Sequence, residues 1–477
     1  MNQSMTESTA SQIETNDRRM WWFISILIII SATAFSAAHV AKVRPLISAN
    51  DRSRWCTVWS IVERGTYEID EITSYKDERT RRRTWNTIDK ATLDGHYYST
   101  KPPLLATLVA GVYWCVKQTT GLTLLDDTAL VTRIILGLIN VLPMAAALAV
   151  FAMLVQRYAK TGPAKIYVLI AAAMATFLTT FQVTLNNHTI AAVLLVFALY
   201  PAMRILTDDV TAPRYYLLAG FFAAFACTNE LPAALFGLAL FGLIWWKSPR
   251  QALLYFATAA CIPIAAWFLT NYIAVGTLKP VYTLYGTDAY LLDAEGNPTH
   301  WANPKGIDKG GDTPMVYLLN CTFGHHGIFS LSPIFLISLF GWCTFSKWRD
   351  FPLKTFLWLG LLLTVATVGF YLTRTGNYNY GGHTSGLRWT FWLIPLWLVA
   401  MIPVIDAYWQ SRLFQIFAAA CLAVSVWSST GPLDNPWRHP WLFQLMERWE
   451  WIDYSSNTPI GSELAQEASL GPPMKIV

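Results

Sequence analysis

Apolar blocks long enough to cross a lipid bilayer recur along almost the whole of this chain. A transmembrane helix needs about 20 mostly apolar residues. The blocks run roughly over 21–39, 130–154, 166–185, 187–205, 215–229, 231–246, 251–275, 328–346, 353–373, 389–407 and 413–429. Of the 477 residues, 54% are hydrophobic and only 14% are charged, against about 25% charged residues in soluble domains. We therefore predict an all-α, polytopic membrane protein.

One shorter apolar piece, 102–116, decides how the chain is threaded through the membrane. It has about 15 residues, short for a span, and begins with Pro102-Pro103, a good helix opening. If it lies along the membrane surface, about eleven basic residues fall in inner loops, and the short outer loops hold only Arg374 and Arg388. The positive-inside rule favours this arrangement. It predicts about 11 spans, an inner N-terminus and an outer C-terminus.

This threading gives the chain a simple organisation. A cytoplasmic tail, 1–19, precedes an uncleaved first span, and the membrane domain extends over 20–429. The first outer loop, 40–129, is the most polar stretch and holds the predicted surface helices. A second outer loop covers 276–327, and an outer C-terminal tail covers 430–477. Of the seven cysteines, Cys56 and Cys321 lie in polar loops, and their pairing cannot be read from sequence.

Unusual polar residues gather on the outer side in this topology. Burying an ionisable group at membrane depth costs free energy, so each such residue is a candidate functional residue. The group comprises Asp51, Lys101, Arg133, Asn187, His188, Glu230, the pair His325-His326, and Arg388. Their convergence on one face is stronger evidence for a site than any single member.

Several of these residues have plain structural alternatives. Asp51 is suited to cap the helix that begins near it, because Asp is a favoured N-cap. Lys101 is suited to snorkel at the interface, and Arg133 is suited to anchor a span end. His188 and Glu230 in tight turns are equally consistent with loop residues that meet water.

The functional interpretation connects the same residues. An amphiphilic substrate with a phosphate head would sit at the outer interface, where Lys101 and Arg133 would neutralise its charge. A nearby carboxylate would act as general base for a hydroxyl or amine acceptor. These are the requirements for glycosyl transfer from a lipid-phosphate sugar, because the departing phosphate needs cations.

The first outer loop also resembles a known family signature. Asn50-Asp51 follows the first span, and the run YYSTKPPL occupies 97–104. This pattern is similar to that of the C-type (GT-C fold) polyprenyl-phosphate-sugar glycosyltransferases. The aminoarabinose (lipid A) transferases and protein O-mannosyltransferases, glycosyltransferase family 39-like, are the relatives it resembles most. The resemblance covers about 20–250 and implies a GT-C-like bundle with surface-parallel helices in the first outer loop.

The resemblance implies a role for individual residues. Asp51 matches the catalytic carboxylate, and the substrate and phosphate-binding group comprises Lys101, Arg133, Tyr98, Asn187 and Arg388. The implied donor is a polyprenyl-phosphate-linked sugar, with a lipid, protein or glycan as acceptor. The implied location is the bacterial cytoplasmic (inner) membrane, with membrane lipids as further partners and no nucleic acid.

This sequence departs from the family pattern at three positions. Many members carry a second acid where Arg52 stands. The aminoarabinose enzymes have a Glu where Thr100 stands and an Asp in the turn that holds His188, and these two departures bear on metal coordination. A divalent metal ion is therefore left open, with His188 and Glu230 as its candidate ligands. A transporter or flippase of lipid-linked sugars is the alternative function, although the inverted repeats typical of transporters are not evident in the sequence. A lipid-binding assembly subunit without catalysis is a third interpretation.

Overall fold

The computed structural model describes residues 2–77, 81–376 and 379–454, with side chains from residue 19 onward apart from that of Phe345. The first half of the described chain folds into the helices α1 (Asn2–Val40), α2 (Ala49–Arg64), α3 (Asp70–Ser74), α4 (Pro103–Thr120), α5 (Thr128–Leu136), α6 (Leu142–Tyr158), α7 (Gly162–Met174), α8 (Phe177–Thr180), α9 (Asn187–Thr207), α10 (Pro213–Asn229) and α11 (Ala234–Lys247). The strands β1 (Lys90–Leu93) and β2 (His96–Ser99) form an antiparallel hairpin between α3 and α4.

The second half is also helical. It contains α12 (Pro249–Gln251), α13 (Thr258–Val275), α14 (Asp288–Leu291), α15 (Pro314–Thr322), α16 (Ile328–Leu331), α17 (Phe335–Cys343), α18 (Lys354–Leu372), α19 (Ile394–Tyr408), α20 (Arg412–Thr430) and α21 (Trp441–Arg448). Two π-helical turns, Gly137–Val141 and Ala252–Ala257, join α5 to α6 and α12 to α13. These junctions make one long helix of each pair.

Eight helices in the described residues are long and apolar enough to cross a membrane. They are Arg19–Val40, Thr128–Tyr158, Gly162–Val183, Asn187–Thr207, Pro249–Val275, Lys354–Leu372, Arg388–Tyr408 and Arg412–Thr430. The chain is therefore a multi-pass helical membrane protein. The predicted all-α class is confirmed at this level, and the count of about 11 spans stays a prediction.

Three predicted spans fall outside those eight for geometric reasons. Helix α10 has 17 residues, which at 1.5 Å per residue covers only about 26 Å of a hydrocarbon core about 30 Å thick. Leu231–Lys247 is likewise a shorter apolar helix. The block 328–346 is divided between α16 and α17, where Ser332 and Pro333 interrupt the helix.

Helix α4 is also outside the eight, and it packs on α2. Glu63 near the end of α2 accepts a hydrogen bond from the Tyr113 hydroxyl at 2.6 Å and pairs with Lys117 at 2.5 Å. Gly65 ends α2, and Gly121 ends α4, each in the left-handed region that favours glycine (φ 70° and 75°). The two helices are thus joined by polar contacts. Their orientation parallel to the membrane surface stays a prediction.

Loops predicted to share the inner side meet at one end of the bundle. Asp208 pairs with Arg157 at 2.6 Å and with Arg204 at 2.7 Å, and Asp209 pairs with Lys247 at 2.5 Å. These contacts join the turns after α6, α9 and α11. The grouping of the basic loops is therefore a feature of the fold, whatever side of the membrane that end faces.

The two outer loops of the sequence analysis pack together at the opposite end. The hairpin meets the 276–327 segment through Thr92, whose hydroxyl donates to the Leu292 carbonyl at 3.1 Å. The indole of Trp301 donates to the Ile88 carbonyl at 2.9 Å. Cys56 and Cys321 are both buried free thiols. The C-terminal tail is described to residue 454, so the rest of the predicted tail lies outside the described residues.

Candidate functional site

Helix α2 brings a buried row of polar side chains to the outer-loop end of the bundle. Ser48 is its N-cap, since the Ser48 hydroxyl accepts a hydrogen bond from the Asp51 amide at 3.1 Å. Asp51 therefore lies in the first turn but is not the cap. Its Oδ1 instead accepts from the Trp55 indole at 3.0 Å and from the Leu185 amide at 2.9 Å. The carboxylate connects α2 to the turn before α9.

Burial sets the protonation of Asp51. The residue is only 2% exposed, and loss of solvent raises the pKa of its carboxyl to about 6. Hydrogen bonds from Leu185, Thr184 and Trp55 act in the opposite direction but do not cancel the effect of burial. A carboxyl group with this pKa is mostly ionised at neutral pH, yet it remains basic enough to accept a proton.

Arg54 lies on the same face of α2 as Asp51, and it is not among the predicted site residues. Its guanidinium contacts the side-chain oxygens of both Asn50 and Asn187, joining α2 to the first turn of α9. Burial, and then the nearby charge of Arg388, lower the pKa of Arg54 to about 10, so it remains a cation. The spacing of Asp51 and Arg54 was the available signal, because residues three apart on a helix are neighbours.

A second arginine reaches the cluster through His188. Nη1 of Arg388 lies 2.6 Å from Nε2 of His188. A guanidinium can only donate, so Nε2 is the acceptor and the ring proton lies on Nδ1. Nδ1 lies against Oε1 of Glu230 as a close polar contact, without the geometry of a hydrogen bond. His188 therefore bonds Arg388 on one side of its ring and contacts Glu230 on the other.

Glu230 closes the cluster from the other side. Its Oε1 also accepts from the Asn187 amide group at 2.5 Å, and Asn187 in turn accepts from Arg54. Arg388 is thus linked to Glu230 through His188, and Arg54 is linked to it through Asn187. Burial raises the pKa of Glu230 to about 8, against the opposing charges of Arg388 and Arg54. His188 and Glu230 are 3% and 6% exposed, so they are core residues and not loop residues that meet water.

Lys101 enters the cluster from the hairpin side, paired with Asp89 at 2.9 Å. Burial opposes ionisation of Asp89, but the charges of Lys101, Arg388 and Arg54 hold its pKa below the usual value. The Lys101 side chain is only 20% exposed, so it points into the protein. Ser53 fixes the hairpin to α2, donating to the Asp89 carbonyl at 2.6 Å.

Two other predicted site residues make separate contacts. The Tyr98 hydroxyl donates to Glu68 at 3.3 Å, next to a backbone bridge between the same two residues. Arg133 donates to the Val43 carbonyl at 3.0 Å and approaches the Lys42 carbonyl, beyond the end of α1. These positions suit structural roles in the first loop.

The cluster contains more cations than carboxyl groups with a pKa below the usual value. Arg54, Lys101 and Arg388 all act on Asp89. Asp51 and Glu230 complete the group, but burial raises the pKa of both. An additional anion entering this cluster would therefore be stabilised by three positive side chains.

A carboxylate and imidazole group that suits a divalent metal lies elsewhere in the first loop. Ligand atoms of Glu68, Asp70 and His96 lie within 4.8 Å of one another. Oxygen and imidazole donors are suited to zinc or manganese. At the predicted metal candidates, by contrast, both ring nitrogens of His188 have protein partners. The described residues thus fit a metal better at Glu68, Asp70 and His96.

Comparison with known proteins gives distant structural matches only. No protein family model and no curated protein matches the chain. The apo oligosaccharyltransferase of Archaeoglobus fulgidus is 12% identical, with a TM-score of 0.43, over 93% of this chain and 60% of that one. Its complex with Zn and sulfate is 14% identical, with a TM-score of 0.42, over 92% and 57%. The same organism's AglB with an inhibitory peptide and a dolichol-phosphate is 13% identical, with a TM-score of 0.39, over 93% and 60%. The chain spans about 60% of the length of these matched chains.

Proposed function

We propose that the protein is a glycosyltransferase of the bacterial cytoplasmic membrane. It would transfer a sugar from a polyprenyl-phosphate donor to an acceptor on the periplasmic side. The observation that carries this proposal is the convergence of Arg54, Lys101 and Arg388 at one end of a membrane helix bundle, beside the buried acid Asp51. Such a site offers both the cations and the base that the reaction needs.

The reaction places opposite demands on the two sides of the sugar. A hydroxyl or amine of the acceptor attacks the anomeric carbon and loses its proton. The bond from that carbon to the phosphate oxygen breaks, and its electron pair leaves with the polyprenyl phosphate. One direct displacement inverts the configuration at the anomeric carbon. The enzyme therefore needs a base on one side and cations on the other.

Arg54, Lys101 and Arg388 are the proposed phosphate clamp. Each is held in the absence of substrate by a protein partner: Asn187, Asp89 and His188, respectively. These contacts position the cations at no reorganisation cost when charge develops on the leaving phosphate. Tyr98 and Arg133 would then support the first loop, and Asn187 would orient Arg54.

Asp51 is the proposed general base. Its pKa of about 6 leaves it ionised at neutral pH and able to take the acceptor proton as the new bond forms. Two hydrogen bonds to Oδ1 fix the carboxylate in one orientation. A base fixed in this way avoids the entropy loss of positioning it during the reaction.

If a divalent ion takes part, Glu68, Asp70 and His96 are the residues that would hold it. Such an ion supplies positive charge for a phosphate-bearing ligand. His96 would ligate as the neutral imidazole, and the Asp70 carboxylate is already oriented by the Tyr97 amide at 3.1 Å.

Replacement of the proposed base tests the function directly. Asp51→Asn keeps the size of the side chain but cannot accept the proton, so transfer should fall by about a hundredfold or more. Full-length protein in liposomes would be supplied with polyprenyl-phosphate sugars and a membrane extract of acceptors, and release of polyprenyl phosphate would be measured. Asp94→Asn, an exposed acid in the same loop, is the matched control and should retain full activity. Full activity of a folded Asp51→Asn variant refutes the proposal.

A further inference from the structure

A buried asparagine lies on the π-helical turn that joins α5 to α6. Asn140 is only 1% exposed and belongs to the apolar helix Thr128–Tyr158. A polar side chain inside a membrane span costs free energy, which makes it a candidate functional residue. π-Helical turns within α-helices are themselves frequent at functional sites. The hydrogen bonds of Asn140 within the described chain go to backbone carbonyls, so it would act on a site through the backbone.

The side-chain amide of Asn140 holds the backbone that precedes α9. Its Nδ2 donates to the Gln182 carbonyl at 2.8 Å and to the Thr184 carbonyl at 2.9 Å. A carbonyl oxygen can only accept, so the amide nitrogen must face both of them. Gln182 lies in a 3-10 turn and Thr184 is extended. Both are therefore outside regular α-helix, where a backbone carbonyl needs another donor.

The Thr184 carbonyl and the Leu185 amide belong to the same peptide group. A trans peptide group is planar, and its C=O and N–H point in opposite directions. Here the C=O accepts from Asn140, whereas the N–H donates to Oδ1 of Asp51 at 2.9 Å. Fixing the carbonyl therefore also fixes the direction of the amide hydrogen. Asn140 and Asp51 thus bond opposite sides of one peptide group.

A second asparagine donates to the same carbonyl from within the turn. Nδ2 of Asn186 lies 3.0 Å from the Thr184 carbonyl and 2.8 Å from the Phe181 carbonyl, and its Oδ1 caps α9 by accepting from the Thr189 amide. Asn186 therefore ties its own turn together, whereas Asn140 ties that turn to another helix. Oδ1 of Asn140 has no hydrogen-bond partner among the described residues, so the donor end of this amide makes its contribution.

The direction of the Leu185 amide bears on the protonation of Asp51. A carboxylate keeps a lower pKa when N–H groups bond its charged form. Burial has the largest effect on the pKa of Asp51 and raises it, and the Leu185 amide is the strongest of the groups that lower it. If the peptide group turned away, this donor would be weakened and the pKa of Asp51 would rise further.

We propose that Asn140 is a positioning residue for the Asp51 carboxylate, because it holds the 184–185 peptide group with the Leu185 amide directed at Oδ1. The proposal rests on the proposed transferase function where it treats Asp51 as the general base. The hydrogen bonds that carry it do not depend on that function.

The protonation of Asp51 can be measured without a transfer assay. Infrared difference spectra between each full-length protein in nanodiscs and its Asp51→Asn derivative would follow the protonated Asp51 carboxyl as the pH is changed. Asn140→Leu is similar in size but has no donor, and Asn140→Ala adds no bulk. Each should raise the pKa of Asp51 by about 0.5–1 pH unit, as expected when one hydrogen bond to the carboxylate is weakened or lost. Thermal unfolding would verify that each variant is folded.

Asn271→Leu is the matched control. Asn271 is also fully buried within a helix, α13, and its Oδ1 likewise has no partner among the described residues. Its amide nitrogen, however, donates to the Trp267 carbonyl of its own helix at 2.8 Å. Asn271→Leu should therefore leave the pKa of Asp51 unchanged.

The pH–rate profile supplies a reading that a loss of packing would not produce. With a higher pKa on the base, kcat/KM of Asn140→Leu should be about three- to tenfold below that of the wild type at about pH 5. It should approach the wild-type value at about pH 8, where the base is ionised in both proteins. A packing defect alone would lower kcat/KM by the same factor at every pH.

The outcomes separate this proposal from the proposed function. A raised infrared pKa of Asp51 in the Asn140 variants, with no change in Asn271→Leu, supports positioning even if Asp51→Asn retains full transferase activity. The same pKa of Asp51 in the wild type and in the folded Asn140 variants overturns it, whatever the transferase activity. An equal rise in Asn271→Leu also overturns it, because the effect would then not depend on the 184–185 peptide group.

Discussion

The guanidinium of Arg388 lies 2.6 Å from Nε2 of His188, across 200 positions of sequence. This contact places the ring proton on Nδ1, because the guanidinium can only donate, and Nδ1 itself contacts Oε1 of Glu230. The His188 ring is consequently committed to protein partners. We infer that the ring holds Arg388 beside Glu230. The Arg388 Nε and Nη2 atoms donate to the Gly381 carbonyl, so two of the five N–H groups of the guanidinium are left for the proposed phosphate.

The pH dependence of transfer should report the ionisation of Asp51. Burial raises its pKa to about 6, and the protonated carboxyl cannot act as a base. We expect kcat/KM to fall about tenfold per pH unit below pH 6 and to level off above it. Rates measured between about pH 4.5 and 7.5 would show this limb. A flat profile over that range would exclude Asp51 as the titrating base, and Asp51→Glu should shift the limb without abolishing it.

Arg54 and Arg133 should differ sharply in their effect on catalysis. Arg54→Lys keeps the charge but loses the fork that bridges Asn50 and Asn187. Activity should therefore fall by about a hundredfold, as when one preorganised donor is removed. Arg133 bonds backbone carbonyls beyond the end of α1, so Arg133→Lys should change kcat/KM by less than about threefold. Equal losses in the two variants would place Arg133 in the clamp as well.

The threading of α4 can be tested with two reporter cysteines. Asp94 precedes the helix, and Gln118 is exposed near its end. If α4 does not cross the membrane, Asp94→Cys and Gln118→Cys should both react with a membrane-impermeant maleimide added outside intact cells. The exposed native thiols Cys115, Cys261 and Cys343 would first be changed to serine. Labelling of position 94 from outside and of position 118 only after permeabilisation would show that α4 crosses.

Metal binding should depend on the first loop. Calorimetric titration of metal-free protein with Mn²⁺ or Zn²⁺ should detect one site formed by Glu68, Asp70 and His96. Loss of a residue that only hydrogen-bonds to a metal ligand weakens metal binding by roughly tenfold to hundredfold. His96→Ala removes a direct ligand, so it should weaken binding by more than that. His188→Gln should leave the affinity unchanged. The reverse pattern would assign the metal to His188 and Glu230.

The sequence predicted the helical membrane class of the fold, and it grouped several residues that the structure brings together, but it did not predict which side chains contact one another. Apolar block length predicted most of the spans, and charge bias in the loops placed His188, Glu230 and Arg388 at one end. Periodicity cannot report that α10 stops at 17 residues or that Pro333 divides a block. Arg54 was missed because its importance depends on Asn187, which lies 133 positions away.

Asp89 was missed for a similar reason. In the sequence it is one acid in a polar loop, and only the hairpin brings it to Lys101. Conversely, Tyr98 and Arg133 matched a short motif and a span end, yet their side chains contact Glu68 and backbone carbonyls. Motif spacing along a loop does not determine which way a side chain points, because that depends on the elements packed around it.

The long sequence separations within the cluster constrain how the protein is made. Asp51 obtains its backbone donor from Leu185, 134 residues later, and Arg388 is synthesised 200 residues after His188. During synthesis the acid and the arginine of α2 therefore exist before their partners do. The cluster can be completed only after the segment that carries Arg388, just before α19, has been made. Truncated chains that end before Arg388 should accordingly expose a charged, incomplete centre to cellular quality control.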